Sequence, residues 1–226
     1  MNDSLKYKAA VAALEEVQQD MVLGLGTGST VTHFITELGN RVRDGLNVRA
    51  IATSLRSEIL AREVGVPIIT FADEKTLDLT VDGADEVSSD LQLTKGLGGA
   101  LVREKLVARV SRRFVVVVDD TKLVERLGTR SPIPVEVVPF ASDIVIYDLL
   151  TIGGEARLRM SDDIQFISDN GNHVVDWHFG PLDDPAGLEQ DLKLITGVVD
   201  SGLFSNMADR VIVAGADGIR SLEREQ

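Results

Sequence analysis

Residues Phe114–Val118 read FVVVV, an apolar run with no polar position in it. A strand without a polar face has to be covered on both sides, and the architecture that does so is a parallel sheet flanked by helices. The chain before it has the matching rhythm. Short apolar stretches, read as strands, recur at Met21–Gly24, Val48–Thr53, Val66–Phe71 and Leu77–Val81, with helical stripes between them. Asp3 or Ser4 can cap a first helix running to about Val17, with Leu5, Ala9, Ala13 and Val17 along one face. A second helix carries Val31, Phe34, Ile35, Leu38 and Val42 at helical spacing, and further helical patterns cover Ser57–Val64 and Ala100–Val110.

After Gly128 the texture changes. The stretch SPIPVEVVP holds three prolines, which suit a domain crossing followed by an edge strand rather than a central one. Beyond it the pattern predicts strand Val135–Val138, helix Ser142–Ile152, strand Glu155–Met160, a hairpin around Asn170-Gly171, helix Ala186–Ile195 and strand Gly197–Asp200. With one small extra strand at the hairpin, this is the β-α-β-β-α-β order of a ferredoxin-like α+β unit. Val211–Ala214 then returns to the parallel pattern. The expectation is an α/β domain of residues 1–130 plus 206–226, with residues 131–205 inserted as a second domain.

Composition narrows the function. A chain of 226 residues with 44% hydrophobic residues can bury roughly 70% of its unfolded surface, so no structural staple is required. There is no cysteine, which excludes a disulfide framework, a cysteine zinc site and a thiol nucleophile and fits a reducing compartment. The amino-terminal stretch has spaced charges and no apolar run of signal or membrane-spanning length, so a cytoplasmic protein is expected. A formal net charge of −13 argues against a nucleic-acid partner, which demands a basic face. An anionic substrate would instead need local positive charge, which draws attention to lysines near glycine-rich loops.

One such loop is GLGTGST, between the first strand and the second helix. Backbone amides and the positive end of the helix dipole can hold an anion there, and Thr27, Ser29 and Thr30 add hydroxyls around Gly28. A dinucleotide fingerprint fits less well, because its third glycine falls one place later and the second strand lacks an acid. A plain tight turn needing small residues fits as well.

A second cluster is LTVDGADE, which sets Asp82 and Asp85, with Gly83 and Ala84 between them, just past a buried strand. Open α/β sheets bind ligands at such ends. Two close carboxylates can divide into an ionised and a protonated partner, though two solvated loop acids would look the same. KGLGGALVREKL then supplies Lys95, the loop Gly96, Leu97 and Gly98, and a helix on which Glu104 lies at the edge of the apolar stripe. A carboxylate against apolar neighbours gains base strength, whereas a surface Glu-Lys pair is the ordinary alternative. His33, His173 and His178 lie in separate segments and have no metal-ligand spacing.

Taken together, GLGTGST, VDGADE, KGLGGALVREK, DDTK, PVEV, DNGN and GLF, in this order and at these intervals, resemble the ribose-5-phosphate isomerase type A family. The resemblance implies a Rossmann-like domain with a ferredoxin-like insertion, a homodimer or homotetramer, and no metal or organic cofactor. It makes Thr27, Gly28, Ser29 and Thr30 the phosphate loop, with Lys6 beside them. It makes Asp82 to Asp85 and Lys95 to Gly98 the sugar-binding loops, Glu104 the catalytic base and Lys122 a further substrate-binding lysine. Leu97 departs from the family, many of whose members have glycine there. The implied reaction interconverts ribose 5-phosphate and ribulose 5-phosphate in the non-oxidative pentose phosphate pathway. Lys95 and the loop amides would steady an enediolate, and Asp82 or Asp85 would open the ring. A sugar-phosphate sensor or an aminosugar-phosphate deaminase of related fold is the alternative.

Overall fold

The computed structural model describes residues 2–224. In chain order the first elements are α1 (Asn2–Ala13), β1 (Val22–Leu25), α2 (Ser29–Arg43), β2 (Arg49–Ala52), α3 (Leu55–Glu63) and β3 (Leu79–Asp82). Two short strands, β4 (Glu86–Val87) and β5 (Leu93–Thr94), lead to α4 (Leu101–Arg109), β6 (Phe114–Asp119) and β7 (Ile133–Val137). Then come α5 (Ser142–Ile152), β8 (Glu155–Leu158), the two-residue strands β9 (Met160–Ser161) and β10 (Ile164–Gln165), and β11 (His173–His178). The chain closes with α6 (Pro185–Leu194), β12 (Val198–Ser201), β13 (Leu203–Phe204), β14 (Arg210–Gly215) and β15 (Gly218–Glu223).

The chain divides into two compact units, one of Met1–Ala84, Arg103–Lys122 and Met207–Gln226, the other of Asp85–Val102 and Leu123–Asn206. The expected boundary assigned residues 85–102 and 123–130 to the α/β domain. They belong instead with the second unit, because β4 and β5 pair with β13 in a three-stranded sheet, and Val124 donates to the carbonyl of Val87.

In the first unit, six strands form the order β15-β14-β6-β3-β1-β2, parallel except for β15. The class is α/β, as the apolar runs imply, and β6 is buried along its whole length. Leu23, Leu25, Val81, Val115 and Val117 point to one face, where α1, α2 and α3 cover them. Val22 and Ile51 point to the other, against Val107 of α4. The sequence of α2 is rich in β-branched residues, which disfavour a helix by up to about 0.7 kcal/mol each. Burial of Val31, Phe34, Ile35 and Leu38 contributes roughly 1.5–3 kcal/mol apiece and decides the matter. Leaving β1, the chain runs first to β2 on one side and then to β3 on the other, so the sheet's switch point lies between β1 and β3, where ligands of such sheets bind.

Four local expectations change. The first helix ends at Ala13 and continues as a 3₁₀ turn, Leu14–Glu16. Val66–Phe71 forms only an isolated bridge, Ile68 to Ala50, because Pro67 offers a carbonyl to Ala50 but no N–H. Asp82 is the last residue of β3 rather than a residue beyond it. β15 was not expected.

In the second unit, β12-β7-β11-β8 make an antiparallel sheet, the ferredoxin-like strand order, over a core that includes Val135, Val145, Leu149, Trp177 and Leu192. The proline argument misplaced β7, which is central, between β12 and β11. In an antiparallel ladder a residue's N–H and C=O point to the same neighbour. The carbonyl of Pro134 accepts from Gly202, one residue past the end of β12, so the missing N–H faces Gly202, whose own carbonyl accepts from the Lys95 amide instead. The PVEV and DNGN blocks meet here. Glu136, fully buried on β7, accepts from Ser168 Oγ (2.9 Å), Asn170 Nδ2 (2.9 Å) and Asn172 Nδ2 (2.8 Å), which ties the hairpin to the sheet.

Candidate active site

In the first unit the loop after β1 is built around Asp82. Its Oδ1 accepts the amides of Thr27 (3.0 Å) and Gly83 (2.7 Å), joining the loop after β1 to the one after β3. This contact requires Gly26, where a Cβ would come within 2.1 Å of that oxygen and 2.6 Å of the Asp82 Cα. Gly28 has φ of +113°, the conformation that turns the loop into α2. The Thr27 hydroxyl, expected to face an anion, turns inward to Thr53 Oγ1 and Ser54 Oγ, each 2.8 Å away. Ser57 Oγ closes the network on the carbonyl of Gly26 at 2.6 Å. At the start of α2, Gly28 and Ser29 are exposed and Thr30 is half-buried. Lys6 of α1 reaches this point, its Nζ donating to Ser29 Oγ at 2.9 Å.

Glu104 lies in the first turn of α4 and is only 4% exposed. Its height above the sheet follows from its neighbours. Val107 packs at Gly24, where a Cβ would meet its Cγ1 at 2.5 Å, and Ser111 Oγ bonds Thr80 Oγ1 at 2.6 Å. Three residues back toward the start of the helix, a rise of about 4.5 Å, bring Glu104 toward the carboxyl ends of β1 and β3. Lys122 ends the 3₁₀ turn that follows β6, at the carboxyl end of the adjoining strand, and is half-buried. The unit thus gathers Lys6, Gly28 to Thr30, Asp82, Gly83, Ala84, Glu104 and Lys122 at one end of its sheet.

In the second unit, Asp85 is half-buried and accepts the Leu97 amide at 3.0 Å. Lys95 is 2% exposed, its Nζ 5.5 Å from the centroid of the Phe204 ring and its amide bonded to the carbonyl of Gly202 (2.8 Å). Gly202 has to lack a side chain, since a Cβ would meet the Lys95 carbonyl at 2.1 Å. Gly96 and Gly99 bracket the turn with φ of +102° and +79°. Leu97 stands 43% exposed in it, so the departure from glycine costs no packing.

Sequence reasoning missed the Thr53, Ser54 and Ser57 hydroxyls, for which the only signal was the cap of α3, and Arg159, between β8 and β9, which holds the 96–99 loop and is itself held by Asp176 of β11. Two of the three histidines have structural partners: His33 with Asp3 at 3.0 Å, and His173 with Ser142 at 2.8 Å. Among the described residues no group of three or more His, Cys, Asp or Glu could hold a metal, and no helix is long and apolar enough to cross a membrane.

The model of ribose 5-phosphate isomerase A (phosphoriboisomerase A) matches residues 49–218. The chain belongs to the ribose 5-phosphate isomerase A family. The ribose-5-phosphate isomerase A of Gloeobacter violaceus is 48% identical over 221 residues, covering 97% of this chain and 96% of that protein. The solved ribose 5-phosphate isomerase A of Methanocaldococcus jannaschii superposes with a TM-score of 0.94 at 44% identity, over 99% of this chain and all of that one. A D-ribose-5-phosphate isomerase solved with phospho-erythronic acid gives 0.96 at 39% identity, over 99% of this chain and all of that one. The family's aldose-ketose isomerisation is therefore the activity of this chain, and the sensor and deaminase alternatives are not favoured. The family model begins at Arg49 and does not cover Lys6 or the 27–30 loop.

Proposed function

We propose that this chain interconverts ribose 5-phosphate and ribulose 5-phosphate through an enediolate, with Glu104 moving the proton between the two carbons. The observation that carries this is the position of Glu104, shielded from water at the sheet end that also holds the Lys6–Ser29 pair. Gly28, Ser29, Thr30 and Lys6 take the phosphate, with Thr27 bracing the loop, and Lys122 contacts the sugar. Lys95 and the amides of Gly96 to Gly98 stabilise the enediolate oxygen. Asp82 and Asp85 divide their work: Asp82 is fully buried and holds two amides, while the more accessible Asp85 opens the furanose ring. Phospho-erythronic acid, the ligand of one relative, pairs a phosphate with a planar carboxylate and so offers both features of such an enediolate. A cytoplasmic homodimer or homotetramer completes the reading.

Purified protein mixed with ribose 5-phosphate is expected to yield ribulose 5-phosphate; no product would end the proposal. Turnover is expected to persist after exhaustive chelation and without nicotinamide, since carboxylate and lysine groups perform each step. Activity lost to chelator and restored by a divalent metal would refute this. Ser29→Ala with Thr30→Ala is expected to raise KM, because phosphate contacts serve ground and transition states alike. An unchanged KM and unchanged competition by inorganic phosphate would place the phosphate elsewhere.

A further inference from the structure

Within the second unit the loop Gly96–Gly99 is gripped from behind by Arg159, between β8 and β9. A guanidinium is planar, with donors in fixed directions. Asp176 of β11 takes two of them, Nε at 2.9 Å and Nη2 on its other oxygen. The remaining nitrogen, Nη1, donates to the carbonyls of Gly96 (2.8 Å) and Leu97 (3.1 Å). Arg159 is itself held, its amide bonded to the Val174 carbonyl and its carbonyl to the Phe166 amide. The Phe166 ring lies 5.7 Å from the guanidinium carbon and fills the space a Cβ on Gly99 would need, 2.2 Å from that position.

A trans peptide points its C=O and N–H in opposite directions, and the described chain has no cis peptide. Arg159 draws the Gly96 carbonyl to itself, so the Leu97 N–H points away, to the Asp85 carboxylate. Arg159 draws the Leu97 carbonyl too, so the Gly98 N–H is also turned from the guanidinium, to the side where Asp85 lies. We infer that Arg159, locked by Asp176, is a positioning residue for the isomerisation: by clamping two carbonyls it aims the Gly98 amide at the developing oxyanion. This rests on the oxyanion role proposed above for the 96–99 loop.

The test compares Arg159→Met and Asp176→Asn with wild type, using ribose 5-phosphate, inorganic phosphate and a four-carbon phosphorylated hydroxamate, a planar mimic of the enediolate. Both variants are expected to lose about 10–10² in kcat and a like factor in hydroxamate affinity, somewhat less than removal of a whole donor. KM and the inhibition constant of phosphate should stay within about twofold, whereas a general loosening of the fold would move them as well. Arg159→Lys, which keeps the charge without the fork, should remain well below wild type in kcat. Wild-type-like kcat and hydroxamate binding in Arg159→Met and Asp176→Asn would overturn the inference while leaving the isomerase reading intact. So would a proportional loss of phosphate affinity. If wild type binds the hydroxamate no better than phosphate, the oxyanion reading of the loop fails and the inference with it. Asp176→Asn, nearly isosteric, keeps the comparison decisive should Arg159→Met fail to fold.

Discussion

Glu104→Gln is expected to fold, to bind ribose 5-phosphate about as well as wild type, and to lose turnover by about 10²–10⁴, the usual contribution of a positioned base. The amide preserves the size of the side chain in the first turn of α4, where only 4% of it is exposed, so packing should survive. It cannot accept a carbon-bound proton. Exchange of the proton on the second sugar carbon with solvent deuterium should therefore stop along with isomerisation, since exchange needs abstraction even when the product does not form. Near-normal turnover and exchange in Glu104→Gln, with both abolished in Asp82→Asn or Asp85→Asn, would move the base to the carboxylate pair.

Lys95→Met is expected to lower kcat by about 10²–10³, the order found for loss of one oxyanion donor, with a smaller change in KM. Lys95 is almost wholly buried, and its backbone is pinned to Gly202 by an approach that only glycine permits. Methionine keeps most of the aliphatic volume beside Phe204, so the variant should report on the ammonium rather than on the fold. A large rise in KM with kcat preserved would place Lys95 on the substrate's remote phosphate, and rate measurements at saturating substrate separate the two outcomes.

Legibility followed the length and regularity of each segment. FVVVV and the stripe of α2 announce a covered sheet, and the strand-helix order after Val135 announces the second sheet, because runs of this length carry a period. β4, β5 and β13, of two residues each, carry none, and so residues 85–102 were credited to the wrong unit. Pro134 misled because the rule for prolines concerns the missing donor, and in β7 the acceptor that donor would serve, the Gly202 carbonyl, is served by the Lys95 amide instead. Candidate site residues stood out where they crowd into short motifs. Arg159 was not: its partners lie 63, 62 and 17 residues away, a coincidence of register that only the folded sheet creates.

The two margins of the six-stranded sheet differ in a way that bears on solubility. An open strand is a template on which another chain can add by backbone pairing, and natural proteins blunt such edges with proline or with charge. Beside β2 the blunting falls to the stretch around Pro67, which makes a single bridge, Ile68 to Ala50, and whose outward amide at Val66 is already taken by the Ala61 carbonyl. At the far margin β15 lies antiparallel over the apolar β14 and is exposed at nearly every residue, with Arg220 and Glu223 among them. An apolar strand that would otherwise invite intermolecular stacking is thereby buried behind one too charged and too wet to be a good template.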